Sequence, residues 1–142
     1  MKGMMLLGLL AVAGVANADT AAKPACETNY KQEGSFFGGR RFSTFDVLAG
    51  VDKDVAYKRV YAEMMKSGFK VTNSDRDMGM LASEYVTTHN GASITLPLNV
   101  VIEPEGKGIK VTVNKTTPGG YATSQDFQVK QMCAVIDTAN GK

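Results

Sequence analysis

Three acids, Asp75, Asp77 and Glu84, are the first place in this chain where side-chain chemistry could be concentrated. A calcium or magnesium ion wants six or more oxygens from a defined loop. Asp75-Arg76-Asp77 offers two carboxylates split by a guanidinium, so the stretch reads as a solvated turn in which an Asp bonds local amides, with Gly79 letting the chain reverse. The one histidine, His89, stands beside Asn90-Gly91 without a cysteine or acid pair, which makes neither a zinc site nor a catalytic triad. No serine sits in a G-x-S-x-G elbow. These residues indicate no catalytic group, no metal and no cofactor, and the chain is read as a non-enzyme. Only a pocket gathering Asp75, Asp77 and Glu84, or Asp46 with Arg41, would restore a hydrolase.

The mix of aromatic and cationic residues is densest at Phe36-Phe37, Arg40, Arg41 and Phe42. Stacking and guanidinium hydrogen bonds there could hold a peptide or a glycan. More often such a mix is core on one face and solvated arginine on the other. Val60, Met64, Leu96 and Leu98, with Val100, form a second group: laid between a helix and a sheet, they could line a cavity for a small apolar ligand.

Two cysteines, Cys26 and Cys133, are read as a disulfide, because the chain opens on an export signal. MKGMMLLGLLAVAGVANA has one positive charge, an apolar run and small residues before Asp19, the pattern of a secretory signal peptide over residues 1–18. The run is shorter than the ~20 residues a membrane span needs. No later segment is apolar enough to span, and no lipid-accepting cysteine follows the run. The expected location is therefore periplasmic or secreted. Removal of the signal leaves 15 basic residues against 14 acids, which is no electrostatic footprint for nucleic acid. A disulfide closing a loop of about 100 residues is worth roughly 4 to 5 kcal/mol in the chain-entropy model.

The elements that would position these groups follow from periodicity. Residues 19–39 show no sustained period and are expected to form an irregular arm tied down at Cys26. Residues 40–140 read as one α+β domain. Arg40 to Leu48 is rich in aromatic and β-branched residues and predicts a strand. Asp52 caps a helix that Gly68 ends, with ridges Ala56/Val60/Met64 and Tyr57/Tyr61/Met65. Strands are expected at 69–73 and 79–89, followed by an Asn-Gly hairpin. Ile94, Leu96, Leu98, Val100 and Ile102 alternate along the next strand, where Pro97 calls for an edge position or a bulge. Ile109, Val111 and Val113 face one way on the last. Ser124 caps a final helix with the stripe Val129, Met132, Cys133, Ile136. The order β-α-β-β-β-β-α predicts an antiparallel sheet of about five strands with two helices on one face, a helix-grip or TBP-like arrangement.

The stretch DVAYKRVYAEMMKSGFKVTNSDRDMGMLASEY resembles the repeated domain of BamC, a lipoprotein of the outer-membrane β-barrel assembly machinery with a helix-grip type fold. The resemblance covers about residues 52–113. It implies the fold and brings no catalytic residues. BamC-like lipoproteins carry two such domains and a lipidated cysteine, whereas this chain has room for one and lacks the lipidation signal, so membership in that machinery is not implied. Two roles fit these features. One is a non-enzymatic periplasmic protein of the cell envelope, whose partner is another envelope protein bound at the sheet edge or an exposed face. The other is a carrier of a small apolar ligand.

Overall fold

Alternating apolar residues on neighbouring strands build the sheet that everything else covers. The structure, a computed structural model, describes residues 22–142; the expected signal peptide lies outside the described residues. The chain runs α1 (Ala25–Thr28), β1 (Lys31–Ser35), β2 (Gly39–Leu48), α2 (Lys53–Lys66), β3 (Lys70–Asp75), β4 (Met80–His89), β5 (Ala92–Glu105), β6 (Gly108–Thr117) and α3 (Gln125–Ala139). The strands form one antiparallel sheet in the order β1-β2-β6-β5-β4-β3. Because β2 and β3 lie far apart in that order, α2 must carry the chain across the sheet. It does so over β5 and β3, while α3 covers β2 and β6. The fold is α+β with helices gripped by one sheet face, as expected.

Capping explains where the long helices start. The Asp52 carboxylate accepts the Val55 N–H at 2.9 Å and the Ser124 hydroxyl accepts the Phe127 N–H at 3.2 Å, each satisfying one orphan amide. Gly68, at φ +83°, ends α2 in the left-handed region. Of the two ridges on α2, Ala56, Val60 and Met64 are buried together with Tyr57, whereas Tyr61 and Met65 turn to solvent. On α3 the buried row is Gln128, Met132, Ile136 and Ala139. Val129 and Cys133 are half-buried beside it.

The inner face of the sheet presents Leu98, Val100, Ile102, Ile109, Val111 and Val113, all buried, to Val60, Met64, Met132 and Ile136, and Leu96 is buried outside that cluster. Ile94 is only half-buried. Each fully buried side chain of this kind is worth roughly 1.5 to 3 kcal/mol. Pro97 sits on a central strand, yet its setting is locally an edge. The β5–β6 ladder ends at Leu98↔Lys115, and the earlier half of β5 pairs with β4 alone. A residue without an N–H donor is tolerated where one neighbour is missing.

The stretch expected to be an irregular arm contains α1 and β1, and the sheet has six strands instead of about five. All five residues of β1 are exposed. The strand is held by its ladder to β2 and buries nothing, so it leaves no apolar alternation to detect. Several contacts beyond the disulfide seat this segment: Asn29 Nδ2 donates to the Phe45 carbonyl at 3.0 Å, Thr44 Oγ1 donates to the Cys26 carbonyl, and Tyr30 stacks on Phe42.

Cys26 and Cys133 are joined, with α-carbons 5.8 Å apart and a separation of 107 positions in sequence. The bond ties α1 to α3 across the core edge. Cys26→Ser is expected to lower stability by about 2–5 kcal/mol, seen as a lower melting temperature. Amide exchange should rise at residues 25–30 and stay slow at those amides of β1 that are bonded to β2, because the ladder is kept. Fast exchange throughout β1 in the variant would contradict this picture.

Candidate functional site

Ser35-Phe36-Phe37-Gly38-Gly39 connects β1 to β2. The Ser35 hydroxyl accepts the Gly38 N–H at 3.0 Å, and the two phenylalanine rings meet edge to face with centroids 5.2 Å apart. Folding hides neither ring: Phe36 is 43% exposed and Phe37 89%. A second loop, Pro118-Gly119-Gly120, clamps this tip from behind. Gly120 N–H donates to the Phe36 carbonyl at 2.7 Å. A side chain on Gly119 would place its Cβ 2.1 Å from the Phe37 carbonyl oxygen, a distance no real contact allows. Glycine is required there by the approach of one backbone to another.

The neighbouring arginines part company. Arg40 faces the helices, where its Nη2 donates to the Tyr121 carbonyl at 3.0 Å and its guanidinium lies 5.7 Å from the Phe42 ring centroid. It braces the clamp loop. Arg41 points to the open face opposite Thr116 and is exposed. A groove of about 380 Å³ runs there, lined by Glu33, Gly38, Arg41, Thr116 and Pro118. Phe42 is fully buried and serves as core. The tip therefore offers a rigid aromatic anchor with a solvated cation beside it, a pair suited to burial in a partner's pocket.

Beneath the clamp runs a polar seam that the sequence reading missed. Lys115 is 4% exposed. Its Nζ donates to Gln131 Oε1 and lies 5.7 Å from the Phe127 ring centroid. Burial pushes its pKa down to about 8. Gln128, also buried, donates from Nε2 to Thr123 Oγ1 at 2.7 Å. Among the described residues three buried atoms, Arg40 Nε, Thr117 Oγ1 and Gln128 Oε1, have no hydrogen-bond partner. The seam lies at the fork where β6 stays with β2 while β5 stays with β4, and the rings of His89 and Tyr121 approach to 5.4 Å between centroids. The signal was available. Ile109, Val111 and Val113 continue by twos to Lys115 and Thr117, and Gln128 precedes Met132 by one helical turn.

The other expected residues separate. Val60, Met64 and Leu98 meet Phe69 and Val135 around an apolar cleft of about 40 Å³ between α2, α3 and the sheet. Leu96 is buried outside that lining. Asp75 caps its own turn, accepting the Met78 N–H at 2.9 Å, and Arg76 bridges to Asp54 at 3.2 Å. That guanidinium holds the Asp54 carboxyl below its ordinary range. Asp75 and Glu84 fall on different rows of the sheet, and Asp46 and Arg41 on opposite faces of β2. Among the described residues no three metal-capable side chains gather, and no helix is long and apolar enough to cross a membrane.

No family model and no curated protein matches the chain. Similar solved structures include a conserved protein of unknown function from Enterococcus faecalis (6% identity, TM-score 0.49, covering 82% of this chain and 79% of that one). A DUF4468 family protein from Bacteroides ovatus is 13% identical, with a TM-score of 0.42 over 77% of this chain and 90% of its own. LpqN from Mycobacterium tuberculosis, described as involved in cell envelope biogenesis, is 15% identical, with a TM-score of 0.37 over 80% and 76%. These are neighbours in shape, and the functional reading rests on this chain's own residues.

Lys115 makes the seam measurable. The unfolded chain keeps that proton up to its ordinary range near 10.5, and the folded protein releases it at about 8. Between those values the unfolded state binds more protons, so stability rises with pH across the window. Lys115→Met should stabilise the protein by roughly 1–3 kcal/mol below the window and abolish the rise. Thermal melts of both proteins from about pH 7 to pH 10 test this, and a difference between them that does not change with pH would contradict it.

Proposed function

We propose that this is a non-enzymatic, exported protein of the cell envelope that docks another envelope protein on its clamped hairpin tip. The observation that carries the reading is Phe37, 89% exposed on a turn whose backbone is held in place by a second loop. Pre-ordering an aromatic anchor lowers the entropy lost on association, and central aromatic residues dominate binding energy at interfaces. Arg41 and the adjoining groove supply a polar rim. The disulfide suits an oxidising compartment, and with the expected signal peptide it supports an encounter in the periplasm or outside the cell. Dispersal of Asp75, Glu84, His89 and Asp46 over separate parts of the fold supports a binding role over catalysis.

The cleft at Val60, Met64 and Leu98 keeps a second reading, the apolar carrier. Its volume of about 40 Å³ is well below the ~300–1,000 Å³ of small-molecule sites, so a carrier would have to part α2 from α3. Native mass spectrometry of the exported protein decides: a retained apolar mass supports the carrier, and a clean mass speaks against it.

A photoreactive residue at position 37, with a control at Lys107 in the turn at the far end of β6, tests the docking role in the native envelope. One discrete protein adduct is expected from position 37 and none from 107. Excess wild-type protein should compete the adduct away, whereas excess Phe37→Ser, which should melt within about 0.5 kcal/mol of wild type, should not. Equal labelling from both positions, or equal competition by the variant, would overturn the reading.

A further inference from the structure

The face of the sheet turned away from the helices carries a second site, apart from the hairpin tip. Cross-strand pairing sets Asn73, Ala82, Asn99 and Asn114 in one row over β3, β4, β5 and β6. Asn73 and Asn99 are exposed and Asn114 is half-buried. The methyl group of Ala82 lies between two longer side chains and leaves a dip in the row. On one side of the dip the next row brings Asp75, Met80 and Val101 into line. Together these residues border a groove of about 530 Å³, inside the ~300–1,000 Å³ range of small-ligand sites.

We infer that this groove binds a neutral oligosaccharide, with the sugar ring lying across Ala82 and Val101 and its hydroxyls meeting the amides of Asn73, Asn99 and Asn114. Charge and hydrogen-bond type select that class. Asp75 is the one charged residue in the lining, so an anion finds no cation there, and a lone carboxylate is far short of the oxygen set a divalent cation needs. An amide both donates and accepts, as does a hydroxyl, so rows of each can satisfy one another without net charge. One Asp75 oxygen takes the Met78 N–H, and the other is left to accept from a sugar hydroxyl. The floor between the amides is aliphatic at Ala82 and Val101, which suits the C–H face of a pyranose. An extended peptide gains less here, because the backbone donors of β4, β5 and β6 are already spent in the ladders on both sides.

Titration of isotope-labelled protein with cellotriose and with chitotriose, followed by amide chemical shifts, tests the assignment. Millimolar binding of either sugar is expected, with shifts confined to residues around 73, 82, 99 and 114. Asn99→Ala should weaken binding about tenfold without changing the fold, and Ala82→Leu, which fills the dip, should abolish it. A trimer of galacturonic acid, the anionic comparison, should bind more weakly than the neutral sugars. Absence of shifts with both neutral sugars, equal or tighter binding of the anionic trimer, or binding untouched by Ala82→Leu when that variant's spectrum is folded, would overturn the inference.

Discussion

One face of the sheet is apolar from Leu96 to Ile102 and from Ile109 to Val113, and that face must be roofed. Only α2 and α3 are long enough to do it, and each covers a different half. Their arrangement follows from connectivity: α2 bridges β2 to the far edge strand and packs over β3 and β5, and α3 takes the half that remains. The disulfide then secures the roof at the middle of α3, which is otherwise held by its packing and by hydrogen bonds from Lys115 to Gln131 and from Arg59 to the Ala139 carbonyl. In this sense the covered face determines the open one. Whatever the protein presents to a partner has to come from the outer face, the edges or the turns.

The roof does not fit everywhere. Where β6 parts from β5 at Leu98 and Lys115, the inner face stops being apolar, and the roof there is Gln128 and Gln131 instead of Met132 and Ile136. A buried amine bonded to a neutral amide has no counter-charge to offset its desolvation. The start of α3 near the clamp loop therefore covers a desolvated amine where the other half of the layer covers apolar side chains. The same end carries Arg40, whose bonds to the carbonyls of Tyr121 and Thr123 hold that loop in place. Polar cost in the seam and rigidity in the tip are two results of one arrangement.

Most of the architecture was legible in the sequence because burial imposes period. Strands β2, β4, β5 and β6 and helices α2 and α3 all show an apolar face, and the caps and turns, Asp52, Gly68, Asn90-Gly91 and Ser124, appear as residue types with known geometry. Strand β1 was not legible. KQEGS buries nothing, so its strand character comes from backbone pairing that no side-chain pattern records. The candidate site was legible only in part. Phe36-Phe37 and Arg40-Arg41 were visible as a mix of types, but which arginine braces and which is free depends on strand parity at β2. Lys115 was hidden by its type: a lysine is expected at the surface, and the parity of Val111 and Val113 that places it inside was not extended two residues further.

A single exposed aromatic residue is ordinary on a protein surface, so exposure of Phe37 does not by itself separate function from accident. The clamp does. Gly119 has no side chain because the Phe37 carbonyl occupies that space, and a glycine costs conformational entropy on folding. The Phe37 ring gains almost no burial in return, since it stays 89% exposed. A chain selected only for stability would relax this loop or bury the ring. The restraint acts on the backbone of residues 36 and 37 and leaves their rings outward, which is the arrangement expected when the rigid direction of a side chain matters to something outside the molecule.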